Sequence, residues 1–448
     1  MYSEELQKLF KGKRIEVGDS ISVKAEGMEV IGELMPRTDV GDADTLVIKL
    51  SNGYNIGISK KNVKEITRVS PAQKSAGIEV PPIKKNPKLQ TISILHTGGT
   101  IASKVDYRTG GVTARFTPQE ILEMFPELNG IANIESRLIR NMWSEDMRFA
   151  HYNLMAQEIE KEVKKGVDGI IITHGTDTMH YSAAALAFAL EGLSVPVMLV
   201  GAQRSSDRGS TDAASNLINA AYFIANSDFA GVSICMHENS SDDVCLVLPA
   251  TKTRKMHTSR RDAFRPINTT AIARVNYKKN EISFIAKDHA KRGKGKLALK
   301  LFNDKLRVGL LKTHTNMYAA EVSAYNGFDG LVIEGFALGH AQINKVDEFT
   351  EEHPRILAAI SDLCKRMPVV MASQCIYGRL QMDVYSTGRD LQAAGVVGNL
   401  DDMTPETTFI KLAWLLSNFK KEEVAKLMTT SLRGEITSRS EYHDTFLM

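Results

Sequence analysis

Two apolar runs, each ending abruptly in a threonine- and glycine-rich turn, constrain this chain more than any other feature. Residues 92–95 run into His96-Thr97-Gly98-Gly99-Thr100-Ile101-Ala102, and residues 170–172 run into Thr173-His174-Gly175-Thr176-Asp177-Thr178-Met179. A short apolar run bounded by turn residues reads as a buried strand. From residue 91 onward such runs alternate with helical stretches. Strand 91–95 precedes a helix that opens at Thr117, with Pro118 first and Glu120 third, the pattern of a capping box. Strand 168–173 precedes a helix through Met179-His180-Tyr181 to Leu190. Strand 195–200 precedes helix 210–226, and strand 231–236 follows. Further along, strands 308–312, 331–333 and 369–372 lead to helices near 317–325, 354–366, 406–417 and 420–428. Alternation of this kind specifies βαβ units and a mostly parallel sheet. Ligands of open α/β sheets bind beyond the carboxyl ends of the strands, where both hydroxyl-rich turns fall.

The first 70 residues read differently. Short β-rich segments at 21–23, 28–34, 45–50 and 54–58 are punctuated by Gly18-Asp19, Glu26-Gly27 and Asn52-Gly53. Asn-Gly between two strands is a two-residue hairpin signal. This spacing predicts a small antiparallel β-barrel. The charges of residues 15–69 are mixed and Tyr54 is their one aromatic, so they offer no stacking platform for single-stranded nucleic acid and read as a docking module. Prolines 71, 81, 82 and 87, with Lys84, Lys85 and Lys88, then form a semi-rigid linker. The expected architecture is α/β. A β-barrel domain over 1–70 and a Pro/Lys-rich linker over 71–89 precede two parallel-sheet α/β domains, a larger one over 90–290 carrying the active site and a smaller one over 300–448.

With 448 residues the chain exceeds one ordinary core. Its 56 basic and 53 acidic residues leave a net charge of +3, too mild to argue for nucleic acid by itself. Cys235, Cys245, Cys364 and Cys375 form no CxxC pair, so neither a disulfide framework nor a zinc site is expected. Residues 1–10 lack the apolar core of a signal peptide, and no run approaches the length of a membrane span. A cytoplasmic location and no membrane association are therefore expected. No His/Asp/Glu spacing suits a metal, and no phosphate-binding glycine motif follows a strand.

A threonine hydroxyl attacks a carboxamide only if a neighbouring group takes its proton and another holds the oxyanion. The two turns supply Thr97 and Thr100 on one side and Thr176 and Asp177 on the other; Asp177 equally suits the N-cap of the following helix. His174, between a buried strand and a turn, reads as a satisfied core histidine. A basic segment, Thr251-Lys252-Thr253-Arg254-Lys255-Met256-His257-Thr258-Ser259-Arg260-Arg261-Asp262-Ala263-Phe264, follows strand 244–248 and emerges at a sheet edge.

The paired motifs TGGTIA and THGTDTM, in that order and each after a strand, resemble the signatures of the bacterial-type asparaginase and glutaminase family over about residues 90–430. The resemblance implies an asparaginase-like fold with Thr100 as nucleophile, Thr176 as the residue that orients the attacking group, and Asp177 as a relay to a lysine. In ordinary members that lysine lies shortly before the strand that here starts at Gly231; residues 222–229 contain none. The basic segment resembles that of the archaeal D-type chains of tRNA-dependent amidotransferases, a branch in which the lysine is relocated. The role falls to Lys255, with Lys252 as the alternative. Arg254, Arg260 and Arg261 would favour a neutral amine through like charge. Trp143-Ser144-Glu145-Asp146-Met147 resembles the family's substrate-binding element, with Ser144 and Glu145 holding the amino-acid backbone, and Glu145 standing where an amide is usual. Tyr107, before Gly110-Gly111, corresponds to the family's lid tyrosine or is an ordinary surface tyrosine.

The resemblance implies a glutaminase subunit that hydrolyses glutamine to supply ammonia for converting Glu-tRNA(Gln) to Gln-tRNA(Gln). It implies an amidotransferase E subunit as partner, with tRNA(Gln) bound mainly by that partner and a homodimer within a heterotetramer. No cofactor is expected in this chain; ATP and Mg belong to the partner. A free-standing cytosolic L-asparaginase is the alternative, and an RNA-docking scaffold that has lost activity is the third reading.

Overall fold

The computed structural model describes residues 2–25, 27–35, 42–50, 55–71, 85–98, 101, 103–106, 111–114, 117–204, 211–241, 243–293 and 295–441. The Asn52-Gly53 turn, most of the proline linker, Thr100 and Tyr107 lie outside the described residues.

The N-terminal part is a five-stranded antiparallel sheet in the order Asn55–Ser59, Thr45–Lys49, Met28–Leu34, Ser20–Ala25, Val63–Ser70. Ile21, Val23, Leu46, Ile48 and Ile66 fill its core. Helix Glu4–Lys13, capped by Ser3 through Leu6 N–H, adds Leu6 and Phe10 to that core. Neither this helix nor strand Val63–Ser70 follows from the turn signals that locate the other four strands. They supply the layer and the fifth strand without which so small a sheet buries too little apolar surface.

The second part is an eight-stranded mixed sheet. Its order is Glu281–Phe284, Ala273–Asn276, Cys245–Pro249, Gly231–His237, Pro196–Val200, Gly169–Thr173, Thr91–His96, Asn133–Leu138. The last five in that order are parallel to one another; the first three run antiparallel to their neighbours. The two motif-bearing strands are adjacent and parallel, with His96 opposite Thr173, so both turns leave the same sheet end side by side. The Thr117 capping box forms as the sequence predicts, at the start of helix Pro118–Met124. Strand Asn133–Leu138 and the long helix Phe149–Lys165 are additional to the expected elements. Tyr152, Met155, Ala156 and Ile159 are the buried stripe of that helix, at helical spacing.

The third part is a parallel sheet of Val308–Lys312, Gly330–Gly335 and Val369–Ser373. Between the two α/β sheets lie helices Met179–Ala189 and Pro405–Asn418. Met179–Ala189 is buried all round, as an apolar helix without a polar face must be. The Phe188 ring packs, tilted by 31°, with its centroid 5.2 Å from that of Trp414 on the other helix, so one continuous core joins both α/β parts. Burial of each such side chain stabilises by about 1.5–3 kcal/mol. Among the described residues no helix is long and apolar enough to cross a membrane.

Candidate active site

The site starts from how the two turns are held. Thr97 is buried, and both its N–H (3.1 Å) and its hydroxyl (2.9 Å) donate to the Thr173 carbonyl. Its hydroxyl therefore laces the two motif strands together and is spent on structure. Gly98 follows at φ +117°, where a Cβ would sit 2.4 Å from the Met142 carbonyl oxygen; only glycine fits that approach.

The second turn is fitted as closely. A Cβ on Gly175 would lie 2.8 Å from Cβ of Ser144, and one on Gly201 would lie 2.7 Å from Cγ2 of Thr176. Ser144 is buried against this turn, and its carbonyl accepts the Thr178 hydroxyl at 2.6 Å. Ser144 and Glu145, in the short 3₁₀ turn Ser144–Asp146, are thereby brought beside Thr176 and Asp177, with Glu145 open to solvent. Thr178, not Asp177, takes the N-cap position of helix Met179–Ala189, so the capping alternative for Asp177 is not realised.

Asp177 points elsewhere. The Lys255 amine donates to Asp177 Oδ1 at 2.8 Å and to Thr176 Oγ1 at 2.9 Å. Lys255 is 10% exposed at its side chain, whereas Asp177 is 67% exposed, so the contact sits at the floor of an open site. Lys255 ends the strand Thr253–Lys255, which pairs with Phe264–Pro266 as a two-stranded hairpin. The structure thus brings together Thr176, Asp177, Lys255, Ser144 and Glu145 from three distant stretches of chain.

Lys252 goes to a different place. It is 2% exposed and its amine lies 3.0 Å from Asp402 Oδ2, away from both turns. The arginines that suggested a like-charge field are drawn to other acceptors: Arg254 to Glu406 at 3.0 Å, Arg260 to Asp262 at 2.8 Å, and Arg261 to the Ser240 carbonyl. That expectation is corrected, because three arginines close in sequence turn apart once the hairpin forms, and the nearest charge to Lys255 is Asp177.

The two histidines at the ends of the motif-bearing strands are structural. His174 is buried between the Gly175 carbonyl (2.6 Å) and the Ser182 hydroxyl (2.8 Å), and burial pushes its pKa down to about 4. His96 bridges Thr173 and Ser136 with its pKa pushed down to about 3, also by burial. Cys235 and Cys245 are buried. Asp402 and Glu406, which hold the lysine-bearing segment, do not stand out in the sequence: they lie about 150 residues beyond their partners, and no local pattern marks such an ion pair.

Three family models match the chain: "Asparaginase, N-terminal" over residues 91–289, "Glutaminase/Asparaginase C-terminal domain" over 307–428, and "GatD N-terminal domain" over 15–69. Among similar proteins is the D subunit of the glutamyl-tRNA(Gln) amidotransferase of Pyrococcus furiosus, 43% identical over 99% of this chain and 100% of the relative. The D subunit of Thermococcus kodakarensis is 43% identical over 96% of both chains. That of Methanococcus maripaludis is 40% identical over 94% of this chain and 98% of its own. Among solved structures, the thermostable L-asparaginase of Thermococcus kodakarensis superposes with a TM-score of 0.66 at 29% identity, covering 78% of this chain and all of that one. L-asparaginase I of Vibrio cholerae gives 0.66 at 28% identity, over 78% of this chain and 99% of its own. With the asparaginase fold over its last two parts and full-length similarity to the amidotransferase chains, the protein belongs to the family of glutamyl-tRNA(Gln) amidotransferase D subunits.

Proposed function

We propose that this chain is the glutaminase subunit of a tRNA-dependent amidotransferase. It hydrolyses glutamine, and an E-type partner uses the released ammonia to convert Glu-tRNA(Gln) to Gln-tRNA(Gln). The observation that carries the reading is the Lys255 amine on Thr176 and Asp177, supplied by the hairpin rather than by the position usual in asparaginases. Thr100, beyond the end of strand Thr91–His96, is the nucleophile; Thr97, with its hydroxyl committed to the Thr173 carbonyl, is not available for that role.

In the reaction the Thr100 oxygen bonds to the carboxamide carbon of glutamine and the C–N bond breaks. The hydroxyl proton passes by way of Thr176, Asp177 and Lys255, and a proton returns to the nitrogen that leaves as ammonia. Water then cleaves the γ-glutamyl ester to glutamate and restores Thr100. Ser144 and Glu145 hold the α-ammonium and carboxylate of the substrate, and Tyr107 belongs to the loop that closes over it. The E partner binds tRNA(Gln) and holds ATP and Mg, and the glutaminase chain forms a homodimer within a heterotetramer in the cytoplasm.

The test is ammonia release from glutamine and from asparagine by the purified chain, alone and then with the E subunit and glutamylated tRNA. Glutamine hydrolysis that rises on adding both supports the reading, and Thr100→Ala should abolish it while leaving partner binding intact. Strong asparagine hydrolysis by the chain alone, indifferent to partner and tRNA, would sink it and leave a free asparaginase, the activity named for the structural neighbours.

A further inference from the structure

The strand that carries Lys255 is gripped from its other side. In an extended strand successive side chains alternate. Lys255 faces Thr176 and Asp177, while Arg254 faces Glu406 and, just before the strand, Lys252 enters the core of the C-terminal part. Both partners flank the start of helix Pro405–Asn418.

The Lys252 amine meets three oxygens: Asp402 Oδ2 at 3.0 Å, the Asp402 carbonyl at 3.2 Å and the Glu435 carbonyl at 3.2 Å. Asp402 is also 2% exposed at its side chain and is held by the Thr437 N–H at 3.0 Å and the Thr437 hydroxyl. Around this pair the backbone is tied as well. Thr407 donates to the Thr251 carbonyl at 2.9 Å, and Asn268 donates to the carbonyls of Asp402 (3.0 Å) and Gly378 (3.1 Å). Ile267 N–H donates to the Lys252 carbonyl at 2.8 Å, closing the hairpin base.

A buried ammonium is costly, and a buried ion pair is often replaceable by apolar side chains with no loss of stability. A fully desolvated lysine three residues before an open-site lysine therefore needs a reason other than stability. The spacing supplies one: whatever fixes Lys252 fixes where Lys255 ends.

We propose that Lys252, clamped between Asp402 and the Glu435 carbonyl, is the positioning residue for the Lys255 amine. The clamp makes the C-terminal part, rather than the sheet that bears the two turns, the element that sets the lysine against Thr176 and Asp177. This inference rests on the glutaminase reading above.

The experiment measures glutamine hydrolysis by the full chain in complex with its partner and charged tRNA, per active site counted with an electrophilic glutamine analogue. The variants are Lys252→Met, Asp402→Asn and the double apolar variant K252M/D402L. Positioning predicts that kcat falls by about 10- to 100-fold, since a displacement near 1 Å costs on this order, while KM for glutamine stays within about twofold because Ser144 and Glu145 do not touch the clamp. Asp402→Asn separates positioning from direct catalysis by Lys252, because Asp402 touches neither turn. If a single variant does not fold, K252M/D402L decides. A parental melting temperature with a low kcat supports the clamp. A parental kcat in any folded variant overturns it. An inactive parental complex would instead refute the glutaminase reading itself.

Discussion

Two lysines three residues apart each meet an aspartate, and the two pairs differ in almost everything but distance. Lys255 meets Asp177 at 2.8 Å, and Lys252 meets Asp402 at 3.0 Å. In the first pair the carboxylate is 67% exposed; in the second both side chains are 2% exposed. The first pair shares its amine with a threonine hydroxyl at the mouth of a sheet, and the second shares it with two backbone carbonyls in the core. Contact distance therefore says little about what an ion pair does. Solvent decides it: water can stabilise Asp177 without its lysine, whereas Asp402, out of reach of water, depends on Lys252, on Arg379 at 3.8 Å and on the donors of Thr437. The solvent-facing pair can be broken at small cost to the fold, and the buried one can hold a geometry at the risk of losing it.

The largest expected effect tests the exposed pair. Lys255→Ala should lower glutamine kcat by about 10²–10⁴, the range general acid–base groups contribute. Unfolding in urea should shift little, by about 1 kcal/mol or less, because the Asp177 left behind is solvated. A variant that loses its fold together with its activity would erase the contrast. For the buried pair the expectation inverts. Asp402→Ala should cost about 3–5 kcal/mol of stability by leaving an unpaired buried ammonium, read as a fall in the urea midpoint at constant m-value. Asp177→Ala, run beside it, should leave that midpoint nearly in place.

Asp401 sharpens the comparison through pH. Burial pushes its carboxyl up to about 7 from an ordinary value near 4. Between those values the unfolded chain is ionised and the folded one keeps its proton, so this group favours folding at low pH. Its contribution is lost as pH rises, by up to about 1.4 kcal/mol per pH unit. Asp401→Asn should therefore raise the melting temperature relative to the parent at pH 8, with the difference closing toward pH 4. A difference that does not change with pH would remove Asp401 from the buried cluster's balance. The smallest effect concerns the turns. Thr97→Val should cost about 1 kcal/mol for the lost hydrogen bond to the Thr173 carbonyl. It should leave kcat within a fewfold of the parent, whereas the proposed role of Thr100 predicts that Thr100→Ala abolishes turnover. Equal losses in the two variants would mean that Thr97 takes part in the chemistry.

Much of the frame was legible because it depends on local patterns. The buried strands before each turn, the Thr117–Glu120 capping box and the parallel sheet follow from runs of apolar residues and the residues that end them. Helix Phe149–Lys165 carried an equally local signal in Tyr152, Met155, Ala156 and Ile159, although the motifs around it point elsewhere. Strand Val63–Ser70 carried less, since of its eight residues only Ile66 is buried. The Thr-Gly turns and the Thr176-Asp177 pair likewise stood out as strings, while the need for a lysine within 251–264 came from the family resemblance.

What the string by itself determined, then, is the inventory: two strand ends, a hydroxyl-rich turn on each, an acid and a basic segment; that the two strand ends are neighbours came from the sheet. Which lysine completes the set was decided only in three dimensions. Lys252 and Lys255 are chemically identical and three residues apart, so nothing local separates them. The difference arises from Asp402 and Glu406, about 150 residues onward, which draw Lys252 and Arg254 into the C-terminal part. With those two side chains turned away, the alternation of the strand directs Lys255 to Thr176 and Asp177. Long-range burial of charge, a property of packing and solvent exclusion rather than of sequence pattern, selects the residue that faces the site.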